Sequence, residues 1–403
     1  MKIFFSVGEP SGDLHGANLI RELRQRDPAI EFVGFGGPRM ESAGCELVYD
    51  LTSLAVMWIA RVIWNIRIFF KLLKQADQYF EEHKPDAVIL IDYPGFNWWV
   101  ARKAKARGIP VFYYGVPQMW AWAGWRIKKM RRLVDHALCK LPFEEKWYNE
   151  RGCNATFVGH PYYDEMETQQ LDNEFVEQQL QGPRLVTILP GSRTQEVVNN
   201  IDWLIETAEK VHRQCPKTKF AVASFNEKQA TLARAALQDR ALPITVFVGR
   251  TPELIKAAHC CMACSGSVSL ELLHHGKPTV ILYRLNRLFY YIASNYLATV
   301  KYITLVNLLA DDNPFTNKPV PYDPSAPGAE LVPFPEYPTC VNKSDQLAKH
   351  LVEWLSDESE YKRRVEILAD LKRRFGESGA SRRAAEYILR SLSVADDDVQ
   401  KAA

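Results

Sequence analysis

Short apolar runs that stop at a glycine or a polar residue, each followed by helical periodicity, set the pattern of this chain. Lys2–Val7 leads into helical spacing over 12–24, and Glu31–Phe35 ends at Gly36-Gly37. Ala87–Ile91 ends at Asp92 and leads into a helix over 98–107, after which comes Pro110–Tyr114. Short strands alternating with helices predict βαβ units around a parallel sheet. The pattern restarts after Gln181-Gly182-Pro183. Leu185–Leu189 reads as a strand and 200–213 as a long helix, followed by strands at Phe220–Ser224, Ile244–Val248, Cys260–Cys264 and Thr279–Tyr283.

The fold class is therefore α/β, with two Rossmann-like domains whose boundary falls in the polar stretch near 170–183. The proline-dense 311–338 segment reads as an irregular loop, 343–392 as helical, and the residues after Val394 as a frayed end. Ligands of open parallel sheets sit beyond the carboxyl ends of the strands. The default site is then a cleft between two such sheets, lined by the polar residues that follow each strand.

The chain has 403 residues, too many for one ordinary core, and 47% apolar with 24% charged side chains rules out disorder. Fifty basic against 48 acidic residues leave a net charge of +2, so no global field favours nucleic acid and any anion site must be local. Eight scattered cysteines fit reduced thiols better than a disulfide framework, and Cys261-Met262-Ala263-Cys264 lies inside an apolar strand with no second metal-binding pair. No secretory signal is visible at the N-terminus. The longest apolar stretch, 54–73, is broken by Arg61, Asn65, Arg67 and Lys71. A central arginine costs about 2.5–3.5 kcal/mol on insertion, so a core helix or an interfacial helix is expected there rather than a span.

Four segments carry candidate chemistry. Gly8-Glu9-Pro10-Ser11-Gly12-Asp13 joins the first strand to its helix; it is neither a dinucleotide fingerprint nor a P-loop, and Glu9 suits hydroxyls better than a pyrophosphate. A plain turn with Ser11 or Asp13 as cap is the competing reading. Asp92 ends the very apolar strand Val88–Ile91, a partly desolvated place that suits a general base, against a mere turn-starting Asp. Pro190-Gly191-Ser192-Arg193 puts a guanidinium over an amide-rich turn, an anion clamp unless Arg193 only pairs with Glu196. Cys264-Ser265-Gly266-Ser267 opens a helix whose free amides suit a diphosphate, with Glu271 one turn in and suited to ribose hydroxyls, against an ordinary cap. His160, in Gly159-His160-Pro161, is a further strand-end candidate. The basic run 126–132, preceded by Trp120, Trp122 and Trp125, reads as a solvated face or an anionic-lipid contact.

Taken together these motifs resemble the lipid-A-disaccharide synthase family, inverting glycosyltransferases of the GT-B type. The resemblance runs nearly end to end. Besides the segments above it is carried by 34–40 (GFGGPRM), Trp120-Ala121-Trp122, Leu141-Pro142-Phe143-Glu144, Phe157–Pro161, Tyr283-Arg284 and 376–381 (GESGAS). It implies transfer of 2,3-diacylglucosamine from UDP to 2,3-diacylglucosamine 1-phosphate, giving the β-1,6 disaccharide. Neither metal nor cofactor is implied. The resemblance makes Asp92 the base and Glu9 a positioning carboxylate, with Gly12 and His160 beside the substrate. Arg193, Ser192, Ser265, Gly266 and Ser267 would hold the UDP diphosphate, Glu271 the ribose, and Asn307 would lie on the donor side.

The implied domains are 1–170 for acceptor and membrane contact, 184–350 for the UDP-sugar, and 351–395 as helices crossing back to the first. The implied partners are the two lipid substrates and the inner face of the cytoplasmic membrane, touched through Trp58, Ile63, Ile66, Phe69 and Phe70. A homodimer by exchange of the C-terminal segment is also suggested, and nucleic acid is not. The chain departs from the family pattern at Gly95, Trp58 and Arg61, and in a proline-rich insertion near 313–332. Two other readings share the architecture: a UDP-N-acetylglucosamine epimerase-like isomerase, and a glycosyltransferase with another lipid acceptor.

Overall fold

The computed structural model describes residues 1–55, 66–238, 240–317 and 319–402. It divides into two compact units, Met1–Glu167 with Ser378–Ala403, and Thr168–Glu377.

The first unit is built on seven parallel strands in the order β3-β2-β1-β4-β5-β6-β7. These are β1 (Lys2–Val7), β2 (Glu31–Gly36), β3 (Cys45–Asp50), β4 (Ala87–Ile91), β5 (Val111–Tyr114), β6 (His136–Cys139) and β7 (Ala155–Phe157). Ile3, Phe4, Phe5 and Val7 of β1 are all fully buried, as are Val88, Ile89 and Leu90 of β4. A sheet covered by helices on both faces demands such largely apolar strands, and the buried Ser6 of β1 is bonded to Asn97. The order reverses between β1 and β4, which pair in register with Val7 beside Ile91. The segments after these two strands therefore leave the sheet side by side, at the switch point where a crevice forms.

The second unit repeats the plan with six parallel strands in the order β10-β9-β8-β11-β12-β13. They are β8 (Arg184–Leu189), β9 (Thr218–Ser224), β10 (Ile244–Val248), β11 (Cys260–Ala263), β12 (Thr279–Arg284) and β13 (Glu336–Thr339). Here the switch falls between β8 and β11, where Leu189 pairs with Ala263.

The helices begin earlier than their apolar spacing suggested. They run Pro10–Arg26, Pro94–Ala106 and Thr194–Gln214. Proline at the first helical position lacks only an N–H that would be unpaired there anyway, so Pro10 and Pro94 start their helices rather than precede them. Strand β13 begins within the stretch expected to be irregular. It carries Pro338 and, among the described residues, pairs only with β12, the edge position where proline costs no ladder bond.

The C-terminal segment divides differently from the expected 351–395 block. Ser344–Ser356 and Glu358–Phe375 are helices of the second unit, whose core takes in Leu351, Trp354 and Leu355. Only the helix Ala380–Ala402 belongs to the first unit, where Ala384, Ala385, Ile388 and Leu392 pack into the core with Ala17, Ile20 and Leu23. Asp164 caps it, accepting from the Gly379, Ala380 and Ser381 amides at 2.6, 3.0 and 2.8 Å. The helix runs to Ala402.

Of the expected membrane-contact residues, Trp58 and Ile63 lie outside the described residues, as does the side chain of Ile66. Ile66–His83 is a helix that buries Leu72, Ala76 and Phe80, one residue per turn. Phe69 is half-buried against the rings of Tyr93 and Phe96, whereas Phe70 is 62% exposed. Among the described residues no helix is long and apolar enough to cross a membrane.

Candidate active site

At the switch point of the first unit, Asp92 follows β4 with a left-handed backbone (φ 46°), as does Tyr93 (φ 44°). Each such non-glycine residue costs on the order of 1 kcal/mol and persists only where its surroundings fix it. The fixing groups are identifiable. The Asp92 carbonyl accepts from Asn97 Nδ2 at 2.7 Å and from the Tyr113 hydroxyl at 2.6 Å. Asn97 is fully buried and also accepts from Ser6 Oγ at 2.7 Å, which ties the ends of β1 and β4 together.

The Asp92 carboxylate is 24% exposed and lies 3.7 Å from Lys140 Nζ, which follows β6. Gly12 lets the Pro10–Arg26 helix approach it. A Cβ on Gly12 would sit 2.9 Å from Val7 and 3.3 Å from Asp92 Oδ2. Glu9 is exposed at the helix start.

Asp13 has a different task from capping its own helix. Its carboxylate accepts from the Gly37, Arg39 and Met40 amides at 2.9, 3.1 and 3.1 Å, so it caps the next helix, Pro38–Ser42. Two histidines line the same end of the sheet. His15 is pushed down to about 4, first by burial, with Lys140 and Arg39 adding to the fall and Asp92 and Asp164 opposing it. His160 is held well below its ordinary range by burial, Lys140 and His15, and its Nδ1 accepts from the Tyr162 amide at 3.2 Å. Both rings are therefore neutral at pH 7.

In the second unit the segments after β8 and β11 lie side by side. The amides of Ser192 and Arg193 donate to Glu196 Oε2 at 3.0 and 3.1 Å, and Arg193 Nη1 pairs with Glu196 Oε1 at 3.2 Å. The turn thus carries its own carboxylate, and an incoming anion would compete with Glu196 for these donors. The Arg193 side chain remains 81% exposed, so its guanidinium has free donors to offer.

Ser265 Oγ donates to the Ile303 carbonyl at 3.1 Å, and Gly266 has open space around it. Ser267 stands at the N-cap position of the Val268–His274 helix without a side-chain capping bond, and Glu271 is buried in that helix. Asn307 does not reach the surface. It is 1% exposed, donates to Phe334 O at 2.8 Å and Glu336 Oε2 at 3.0 Å, and accepts from the Phe334 amide at 3.0 Å.

Within the first unit the structure thus brings Asp92 and Gly12 together, with His15 and Lys140 added. Within the second it brings the 190–193 and 264–267 turns together. Asn307 stands apart from them as a buried brace for β13. Sequence reading missed Lys140 and Asn97. Lys140 obeyed the strand-end rule that found Asp92, but β6 is only His-Ala-Leu-Cys and lacks a long apolar run to announce it. The cysteines of 260–264 are buried thiols, with Cys261 and Cys264 pushed up to about 12 by burial.

Known structures share this architecture. A UDP-GlcNAc 2-epimerase from Neisseria meningitidis, bound to UDP-GlcNAc, matches with a TM-score of 0.62 at 13% identity, covering 97% of this chain and 100% of its own. MurG of Acinetobacter baumannii matches with a TM-score of 0.56 at 13% identity, covering 96% and 99%. At such identities the likeness shows the fold, and that fold is GT-B-like: two parallel-sheet α/β units with polar segments at each switch point.

Sequence comparison carries the assignment further. Residues 3–317 match the family model described as lipid-A-disaccharide synthetase. A lipid-A-disaccharide synthase of Trichlorobacter lovleyi is 34% identical over 391 residues, 96% of this chain and 97% of that protein. The Geobacter sulfurreducens enzyme of the same description is 32% identical over 393 residues, 97% of each. The chain belongs to the lipid-A-disaccharide synthase family and is a glycosyltransferase.

Proposed function

We propose that this enzyme transfers a 2,3-diacylglucosaminyl group from UDP to the 6-hydroxyl of 2,3-diacylglucosamine 1-phosphate, with inversion. The observation that carries the reading is Asp92, a carboxylate held on strained backbone at the switch point of the first sheet. Asp92 takes the proton of the acceptor hydroxyl as its oxygen bonds to the anomeric carbon. The bond from that carbon to the diphosphate breaks, and the electron pair leaves with UDP.

The leaving diphosphate needs preorganised positive charge and N–H donors. The exposed Arg193 guanidinium and the turn at Ser265, Gly266 and Ser267 supply them, with Ser192 beside Arg193. On this reading Glu271 meets the ribose and Glu9 orients acceptor hydroxyls. Gly12 leaves room beside Asp92, and His160 offers a neutral ring. Asn307 acts through Glu336 and the chain around it. Membrane attachment belongs to the same reading. Phe70 and Trp99 are exposed on the packed helices Ile66–His83 and Pro94–Ala106, Trp122 and Trp125 are exposed in the segment 119–126, and Arg126 stacks on Trp122 at 5.1 Å.

Mass spectrometry of a reaction containing both acylated substrates tests the proposal. Wild-type protein is expected to form the disaccharide 1-phosphate and UDP in equal amounts. Asp92→Asn, with an unchanged melting curve, is expected to lose at least about a thousandfold in turnover. Full activity in that variant removes Asp92 as the base. Interconversion of UDP-N-acetylglucosamine without acceptor would favour the isomerase reading.

A further inference from the structure

Lys140 makes the one ion pair to Asp92 found among the described residues, Nζ to Oδ1 at 3.7 Å. Neither partner is a free surface group: the lysine side chain is 16% exposed and the aspartate 24%. The lysine is held along its whole length. Its amide donates to Glu144 Oε2 at 2.9 Å, and its stem lies over Gly115, where a Cβ would come within 3.2 Å of Lys140 Cδ. Glu144 is fully buried and also accepts from the Leu141 amide at 3.0 Å and from the Trp120 indole at 2.9 Å. Trp120, Glu144, Lys140 and Asp92 therefore form one connected chain. It gives a physical task to the Trp120-Ala121-Trp122 and Leu141–Glu144 segments.

Of the described titratable groups that feel the Asp92 charge, His15, Tyr113 and Tyr114 offer it no compensating charge, while Arg39 acts on His15 and Arg383 on Tyr114. His15 from the Pro10–Arg26 helix is neutral at pH 7. Burial pushes the Tyr113 and Tyr114 hydroxyls of β5 up, so both stay neutral as well. Glu9 adds a like charge, felt at Tyr93 and Tyr113.

We propose that Lys140 is a positioning residue for the transfer, whose ammonium, 3.7 Å from Asp92 Oδ1, compensates that carboxylate and holds it aimed for proton abstraction. The inference rests on Asp92 being the base. A half-buried carboxylate with no cation beside it gains by holding a proton, and a protonated base cannot accept another. Through its braced lysine, the Trp120–Glu144 pair then fixes where the Asp92 carboxylate lies.

Steady-state kinetics of Lys140→Met and Lys140→Arg between about pH 4 and 9 test this. Lys140→Met is expected to lower kcat about 10- to 100-fold at pH 6.5 and to leave the donor KM within about twofold. The acid limb of its kcat profile should move up by about one pH unit or more. Lys140→Arg keeps a charge and should restore the limb to within a few tenths of a unit. An unmoved acid limb in Lys140→Met overturns the proposal. Should that chain melt below the assay temperature, Lys140→Gln reads the same limb. Asp92→Asn run in parallel separates the two ideas: if it is inactive while Lys140→Met behaves as wild type, only the lysine's role fails. If Asp92→Asn turns over normally, the base assignment itself fails.

Discussion

Asn97 Nδ2 donates to the main-chain carbonyl of Asp92 over 2.7 Å, and the same side chain receives the Ser6 hydroxyl over 2.7 Å. One buried amide thereby joins the ends of β1 and β4 and holds the residue that the proposed reaction uses.

Replacing Asn97 with Leu keeps roughly the volume but leaves the Ser6 hydroxyl and the carbonyls of Ser6, Ile91 and Asp92 short of a partner. Orphaned buried groups cost about 1–3 kcal/mol each, so a loss of about 3 kcal/mol in unfolding free energy is expected, read by urea denaturation. Turnover should fall by about tenfold or more even where the protein is fully folded, because the aspartate is no longer fixed. Normal kcat at full folding would show that the amide serves stability alone.

The exposed aromatic residues of the first unit can be tested apart from catalysis. Phe70, Trp122 and Trp125 are 62%, 47% and 64% exposed, and Lys128, Lys129, Arg131 and Arg132 lie exposed just beyond them. Changing the three aromatic residues to Ser should reduce pelleting with phosphatidylglycerol vesicles by about tenfold or more. Neutral vesicles should bind the wild-type protein more weakly, since each basic residue near an anionic surface contributes about 1 kcal/mol. Equal pelleting of wild type and variant would remove these residues as the contact.

His350 gives a pH dependence of stability with a defined sign. It is buried, bonded to the Tyr337 hydroxyl at 2.9 Å, stacked near Trp354, and pushed down to about 4 by burial. Arg364 and Lys349 press in the same direction and Glu360 opposes them. The folded state therefore binds the proton less readily than the unfolded one. The histidine's contribution is fully present above about pH 6.5 and is lost as pH falls from there towards 4. Between pH 7 and 5 the wild type should lose about 2 kcal/mol more than His350→Asn, measured by urea denaturation at both pH values. Identical pH slopes would mean that the ring is already charged in the native protein.

Several parts of this molecule were legible in its residues, for stated reasons. β1 and β4 announce themselves because a strand covered on both faces must be largely apolar, and the turn segment that follows each one falls at the switch point. Asp92 and the Ser265–Ser267 turn were found in this way. β6 and β13 escaped because one is four residues long and the other is a proline-bearing edge strand, where neither length nor hydrophobicity is enforced.

Local pattern thus determined the α/β class, the restart of the fold near residue 183, and the strand ends from which chemistry is built. Tertiary structure alone decided how side chains far apart in the chain are spent. Asp13 caps a helix 25 residues on rather than its own, and Glu196 occupies the amides beside Arg193. Asn307 braces β13, and Lys140 comes to rest 3.7 Å from Asp92. A hydrogen bond or an ion pair depends on separation in space, and strand order, which brings β1 against β4 and β5 against β6, sets that separation only when the sheet assembles.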